Sequence, residues 1–122
     1  MNMKKKIVNF QPTEFKCNGV TCWDKMSYDL LAKLDIAREV AGVPFFITSS
    51  WRDEETNRMV GGKPNSAHLR GTAVDIACQS SAERYLIIDA LLTSGFFRIG
   101  VGSTFIHADV DDDLPSPVIW VY

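Results

Sequence analysis

The sequence has no long apolar run and little net charge. Across its 122 residues, no stretch approaches the roughly 20 apolar residues that a transmembrane helix needs. The formal net charge of -2 gives no strong overall field toward nucleic acid or an anionic membrane. The only basic run, residues 4–6, lies at the N-terminus and is expected to be a solvated tail. We therefore expect neither nucleic-acid binding nor membrane insertion.

We also expect no export signal at the start of the chain. Residues 1–6 are followed by Ile-Val-Asn-Phe, which is too short for the apolar core of a signal peptide. We expect a protein that is made in the cytoplasm. If its target lies outside, cell lysis or another delivery route, such as a holin or a phage particle, must bring the two together.

Cysteine is scarce, and its number is odd. Three cysteines cannot all pair with one another. Cys78 stands alone in an apolar segment and is expected to be a small buried hydrophobe. Cys17 and Cys22 lie five residues apart around a glycine, and a disulfide, a role in metal binding and two reduced thiols all remain open.

The length and composition are those of one globular domain. A chain of 122 residues is too short for two domains, and its 46% hydrophobic and 23% charged residues are ordinary for a globular protein. Such a chain buries a core without disulfides. We expect a single domain, residues 1–122, and a monomer.

Capping residues and periodicity outline the helices. Residues 9–23 are broken by proline and glycine and are expected to be irregular. Ser27 is a good N-cap and Gly42 a good stop, and apolar residues recur at helical spacing between them. A helical turn around residues 53–59 and a buried helix from Ser80 or Ser81 to Gly95 are also expected.

Short aromatic and β-branched runs predict the strands. These runs lie at residues 45–48, 72–77, 96–101, 105–110 and 118–121. Helices packed on one face of a mostly antiparallel sheet make this an α+β fold.

The two histidines of the chain suggest a metal site. His68 lies a short step before Asp75, and His107 lies two residues before Asp109. A catalytic zinc site needs three nitrogen or oxygen ligands and one open position, which His68, Asp75 and His107 can supply. An ionised Asp75 within an apolar strand is costly unless it is paired or bound to a metal. A hydrogen-bonded buried aspartate and two core histidines remain an alternative.

Several motifs resemble one family. Residues 66–76, Ser-Ala-His-Leu-Arg-Gly-Thr-Ala-Val-Asp-Ile, resemble the Ser-x-His-x-x-Gly-x-Ala-x-Asp signature of zinc D-alanyl-D-alanine carboxypeptidases and murein endopeptidases. Residues 47–52 resemble that family's Thr-Ser-Gly-Tyr-Arg element, and residues 57–66 its Asn-x-x-x-Gly-Gly-x-x-x-Ser stretch. Residues 105–110 resemble the strand with the last zinc ligand, and residues 9–17 the opening of phage and prophage members. The chain is thus similar to VanY-like enzymes nearly end to end.

The resemblance implies a fold, a cofactor and a substrate. It implies the α+β fold of the hedgehog signalling domain, with Zn²⁺ held by His68, Asp75 and His107. It implies a peptidase that cuts peptidoglycan stem peptides or cross-links, as in phage or prophage cell-wall lysis. It gives Arg52 the task of gripping a substrate oxygen, for which a planar guanidinium is well suited. An ion pair between Arg52 and its acidic neighbours in sequence is the alternative.

Other residues near these motifs have two possible roles each. Ser66 is expected either to contact substrate or to cap the loop of His68. Trp51 and Trp120 are expected either to line the cleft or to pack in the core. The acidic residues 111–113 are expected to form a solvated turn rather than a calcium site.

The sequence departs from the family pattern at the general base. Relatives place Asp or Glu three residues before the last zinc histidine, where this chain has Thr104. Asp109 is the best substitute, because side chains two apart on a strand share a face. Asp109 is expected either to act as the base or to orient His107. A zinc-binding module without catalysis is the remaining alternative.

Overall fold

Residues 6–122 are described by a computed structural model. Residues 1–5, with most of the basic run, lie outside the described residues, so the expectations for the N-terminal tail stay predictions. The helices are α1 (Tyr28–Ala41), α2 (Glu54–Met59) and α3 (Ser81–Thr93). The strands are β1 (Lys16–Cys17), β2 (Val20–Thr21), β3 (Ile47–Ser49), β4 (Ala73–Ala77), β5 (Arg98–Val101), β6 (Phe105–Asp109) and β7 (Val118–Val121).

The helix boundaries follow from the capping residues. The Ser27 hydroxyl accepts a hydrogen bond from the Leu30 amide at 3.3 Å and begins α1, and Gly42 ends it with a φ of 68°. The Ser80 hydroxyl accepts from the Glu83 amide at 3.1 Å, so Ser80 is the cap of α3. Asp53 caps α2 in the same way. The predicted helices are therefore confirmed.

The main sheet has five strands in the order β3-β4-β6-β5-β7 within the described residues. Three of the four neighbouring pairs are antiparallel, whereas β5 and β7 are parallel. After β6, residues 110–117 carry the chain past β5 to the opposite side of that strand. The predicted α+β class is confirmed, with a mixed rather than a purely antiparallel sheet.

The two faces of the sheet present different kinds of side chain. Because side chains alternate along a strand, one face of β4 and β6 presents fully buried apolar residues, which pack with α1 and α3 in one core cluster. The opposite face presents Asp75, His107 and Asp109. α1 and α3 thus cover one face and leave the polar face for the site. Fully buried sheet residues of the core are Val74, Ile76, Ile99, Ile106 and Ala108.

Three expectations need correction. Residues 9–23 are not irregular throughout, because β1 and β2 form a small hairpin with Asn18 and Gly19 at positive φ in its turn. The predicted strand at 45–48 begins only at Ile47. Asp111 is buried rather than solvated, and its carboxylate accepts hydrogen bonds from Arg70 Nε at 2.6 Å and Thr72 Oγ1 at 2.9 Å.

The three cysteines are free thiols in the described chain. Cys78 is buried, as predicted, and Cys22 is buried with its Sγ 3.1 Å from Ser50 Oγ. Cys17 is partly exposed. Of the open interpretations for Cys17 and Cys22, the disulfide is absent from the structure.

Among residues 6–122, no helix combines the length and apolar character that crossing a bilayer demands.

Candidate metal centre

A short capped turn positions His68. The Ser66 hydroxyl accepts a hydrogen bond from the His68 amide at 3.2 Å and begins the 3₁₀ turn Ala67–Arg70. Gly71 ends the turn with a φ of 70°. A Cβ at Gly71 would lie 1.9 Å from the Lys25 carbonyl oxygen. Only glycine therefore fits between this turn and β4.

Strand register brings the other two residues together. Asp75 of β4 and His107 of β6 are directly paired in the antiparallel ladder. With His68, each offers one ligand atom, and these atoms lie within 4.8 Å of one another. His68 and His107 are buried, and Asp75 is partly buried. The structure thus brings together the three residues that the sequence analysis singled out.

Each imidazole is fixed by a strong acceptor on its outer side. His68 Nδ1 donates to the Ser50 carbonyl oxygen at 2.7 Å. His107 Nε2 donates to Asp109 Oδ2 at 2.7 Å. These contacts place the proton of each neutral imidazole on the outer nitrogen. His68 Nε2 and His107 Nδ1 are then left with lone pairs that face inward.

The inward-facing atoms are suited to a cation. His68 Nε2 lies 3.3 Å and His107 Nδ1 lies 3.1 Å from the same oxygen, Asp75 Oδ1. An ionised carboxylate and an unprotonated imidazole nitrogen both accept hydrogen bonds, so neither satisfies the other. A proton on each ring or a metal ion between the three atoms resolves the conflict. Two nitrogens and one oxygen are also a donor set typical of zinc.

The acid–base properties of the group show the same attraction for positive charge. Burial disfavours ionised Asp75, but the hydrogen bonds and charges of His107 and His68 outweigh it and hold its pKa below the usual range. Burial likewise acts to lower the pKa of His107. Asp109 and Asp75 outweigh that effect, so the pKa of His107 is raised. The three residues together therefore favour the binding of positive charge.

Arg52 lies beside the second oxygen of Asp75. Its Nη2 is 3.4 Å from Asp75 Oδ2, while Nε donates to Ser49 Oγ at 3.1 Å and Nη1 donates to Asn57 Oδ1 at 3.3 Å. The contact with Asp75 replaces the ion pair with the acidic sequence neighbours that was the alternative. Asn57 is itself held by donating to the Lys63 carbonyl oxygen at 2.8 Å. The guanidinium is therefore oriented on three sides at the edge of the site.

Asp109 is enclosed rather than open to a substrate. Its side chain is fully buried and accepts from His107 Nε2 and from Arg98 Nε at 2.8 Å. The Asp111 amide also donates to Asp109 Oδ1 at 3.1 Å. Asp109 lies on the outer side of His107, away from the inward-facing nitrogen. Of the two roles considered for Asp109, this geometry favours the orientation of His107.

A cleft of about 550 Å³ opens beside Asp75, the one of the three candidate ligands that lines it. Trp51, Arg52, Asp75 and Thr104 are among the residues that line it. Asp75 is the one carboxylate among the described residues lining it, and Thr104 is exposed. Ser66 is outside the lining, which favours its role as the cap of the His68 turn. The described wall of the cleft therefore offers no carboxylate besides the candidate metal ligand.

Trp51 combines both roles that were considered for it. Its Nε1 donates to the Leu69 carbonyl oxygen at 3.1 Å, and the ring packs against the core cluster while it also lines the cleft. Trp120 lies over the site instead, with its ring centroid 5.3 Å from that of His107 and the Arg98 guanidinium 5.1 Å from the same indole.

Sequence reasoning missed several supporting residues. Ser50 acts through its backbone carbonyl, which no sequence pattern reveals. Arg98 pairs with Asp109 across two strands, and this requires the register. One feature of the sequence could have indicated the position of Trp120, namely Gly100 in β5. A Cβ at Gly100 would lie 2.7 Å from indole atoms, so the glycine leaves room for Trp120.

An α+β fold with a histidine–aspartate–histidine group at the sheet face that α1 and α3 leave uncovered defines a candidate mononuclear metal protein. The chain matches the family model described as Peptidase M15 over residues 8–109, which is most of its length. The chain therefore belongs to the peptidase M15 family. A search of the curated proteins gave no match. Peptidases of this family are zinc-dependent hydrolases of peptides, and the fold agrees with their hedgehog-like architecture.

Proposed function

We propose that this chain is a zinc metallopeptidase that hydrolyses a peptide bond in peptidoglycan, in stem peptides at the D-Ala-D-Ala end or at cross-links. The observation that carries the proposal is the convergence of His68 Nε2, Asp75 Oδ1 and His107 Nδ1 in a member of the peptidase M15 family. Residues 1–122 act as one zinc peptidase domain and function as a monomer.

In this proposal His68, Asp75 and His107 are the zinc ligands. A zinc ion held by these residues would supply Lewis acidity for a peptide carbonyl and would lower the pKa of a bound water toward about 7. Ser50 and Asp109 keep the imidazoles in the tautomer that presents a lone pair to the metal. Ligand geometry is thereby set before the metal arrives.

Arg52 grips a substrate oxygen at the edge of the same site. Its guanidinium is already oriented by Ser49 and Asn57, so binding costs little side-chain entropy. Trp51 forms a section of the cleft wall and excludes water from the peptide. Ser66 acts indirectly, by holding the His68 turn. Asp109 is a positioning residue rather than the general base.

The biological setting that fits best is cell-wall lysis by a phage or prophage protein, with an endolysin-like role. Support comes from the similarity of residues 9–17 to the opening of phage-type members. The enzyme reaches peptidoglycan after lysis or by another delivery route.

A second candidate function is a catalytically silent zinc-binding module of a cell-wall-binding or structural protein. One observation favours it: the described lining of the cleft offers no carboxylate base besides Asp75, since Thr104 stands at the position where relatives carry one. Such a module would bind zinc and peptidoglycan without cleaving either the stem or the cross-link.

The test combines zinc content with hydrolysis of purified sacculi. The wild-type protein is expected to contain about one zinc per chain and to release new amino groups, whose products mass spectrometry assigns to one bond. His107→Ala is expected to lose both properties. Asp89→Asn, on the outer side of α3, is the control and should keep both. Zinc without release of amino groups supports the silent module, and a wild type without zinc after loading overturns both candidates.

A further inference from the structure

The flank of the site formed by β5, β7 and the first residue of β6 contains two glycines, just within or after β5, and three aromatic rings. His107, Gly100 and Trp120 lie in one cross-strand row, and Gly100 has no side chain to separate the other two. Gly102 has the same role at the end of β5, because a Cβ there would lie 2.3 Å from the Phe105 ring. The glycines leave room for the Trp120 and Phe105 rings next to the candidate metal ligands.

Tyr122 belongs to this aromatic flank. It lies two residues after Trp120, so its side chain projects from the same face as that of Trp120 and His107. Its amide donates to the Val101 carbonyl oxygen at 3.1 Å, which continues the pairing of β7 with β5. Its ring centroid is 4.9 Å from that of Phe105 and 6.2 Å from that of Trp120. The ring is thus held between two neighbours beside the cleft.

Tyr122 and Arg52 stand on opposite sides of the candidate metal site. Arg52 follows β3 at one end of the strand order, and Tyr122 follows β7 at the other, with Asp75 and His107 between them. The Tyr122 phenol interacts electrostatically with both Asp75 and Arg52. Partial burial raises the pKa of Tyr122 above its ordinary value, while a hydrogen bond with the Trp120 side chain acts to lower it. A tyrosine hydroxyl is protonated at neutral pH even at its ordinary pKa, so the phenol is neutral here.

The reaction needs hydrogen-bond donors where negative charge develops. When water adds to a peptide carbonyl, the carbonyl oxygen becomes negative, and donors aimed at that oxygen contribute to catalysis. Arg52 provides such donors from one side of the site. On the other side, Trp120 and Phe105 provide rings, and the Tyr122 hydroxyl is the polar group that those rings position.

We propose that Tyr122 is a catalytic residue whose neutral hydroxyl donates a hydrogen bond to the carbonyl oxygen of the cleaved peptide bond as it becomes negatively charged. This inference rests on the proposed peptidase function. No covalent bond to Tyr122 forms or breaks, and the phenol is neutral before and after the reaction. Tyr122 and Arg52 then bracket the reacting oxygen from opposite strands.

The test compares Tyr122→Phe with the wild type on sacculi and on a phosphinate analogue of the bond that the wild type cleaves. Tyr122→Phe keeps the ring and removes only the hydroxyl. We expect kcat to fall about 100- to 1000-fold with KM changed by less than about threefold, as for the loss of one oxyanion donor. The affinity for the phosphinate, measured by calorimetry, should fall by a similar factor, while zinc content stays unchanged.

Two further variants keep the proposal falsifiable. Tyr85→Phe, on the exposed surface of α3, removes a hydroxyl far from the site and should behave as wild type. Tyr122→Leu removes the ring as well. Full activity and full phosphinate affinity in Tyr122→Phe, with losses only in Tyr122→Leu, would show that the ring is merely a wall and would overturn the proposal. A zinc-loaded wild type that cleaves no bond would instead overturn the proposed function together with this inference.

Discussion

The centre of the site and its β5–β7 flank are stabilised in different ways. At the β4–β6 centre, buried polar groups are fixed by short hydrogen bonds, such as the 2.7 Å contacts of His68 with Ser50 and of His107 with Asp109. At the β5–β7 flank, shape dominates, because glycines make room for half-exposed aromatic rings. The centre therefore tolerates almost no substitution, whereas the flank should tolerate changes that preserve ring packing.

The largest effect is expected for removal of a ligand from the centre. His68→Ala should reduce zinc from about one per chain to nearly none, because two ligands do not hold the ion in competition with water. Elemental analysis after dialysis measures this. Zinc retained at the wild-type level would show that His68 is not a ligand.

Asp109→Asn distinguishes positioning from acid–base catalysis. An amide can still face His107 but no longer carries the charge that fixes its tautomer, so zinc affinity should fall about 10- to 100-fold. Competition with a chromogenic chelator gives the affinity. Activity restored by excess zinc agrees with positioning, whereas zinc-saturated protein that stays inactive would return Asp109 to the role of base.

Zinc affinity should weaken at acidic pH. The pKa of His107 is raised in the metal-free protein, so a proton competes with the metal at a higher pH than an ordinary histidine would allow. Below that raised pKa, each unit fall in pH should cost up to about tenfold in apparent affinity for this one proton. Calorimetric titrations from about pH 8 to about pH 5.5 check this, and a constant affinity would contradict it.

Gly100→Ala tests the flank. The new methyl would overlap the Trp120 indole, whose ring atoms lie 2.7 Å from its position, and the indole must move away from His107. We expect activity to fall about tenfold with zinc content unchanged. Trp120 fluorescence should shift with the displacement, although two other tryptophans contribute to the signal, so a Trp120→Phe background serves as the reference. A loss of zinc would show that the flank also supports the centre.

The smallest effect is expected for Asp111→Asn, at a residue outside both the centre and the β5–β7 flank. Its carboxylate accepts from Arg70 and Thr72, and these bonds hold its pKa below the ordinary value although burial acts in the opposite direction. A lowered carboxyl pKa stabilises the fold above the unfolded pKa and loses that contribution as pH falls through the folded pKa. Asp111→Asn should therefore cost about 1 kcal/mol near pH 7 and less near pH 3. Urea unfolding at both pH values measures the difference.

The sequence predicted the local structure around the centre well, because the signals there are local. Capping residues marked the helices, alternation marked β4 and β6, and the spacing of His68, Gly71 and Asp75 is that of a short turn followed by a strand. The parallel placement of β7 was not predictable, since the side of β5 on which β7 pairs depends on the path of residues 110–117. The burial of Asp111 depends on Arg70, which is distant in sequence, and was missed for the same reason.

The two carboxylate oxygens of Asp75 contact different partners. Metal binding at one oxygen is therefore coupled to the ion pair between the other oxygen and Arg52. One oxygen faces the histidines and the other faces the guanidinium, so a single negative charge serves both. A divalent ion at the first oxygen would draw electron density toward itself and weaken the attraction felt at the second. In the proposed peptidase, metal loading would thus loosen the ion pair that occupies Arg52, and the guanidinium would become free to hold a peptide only once the metal is bound.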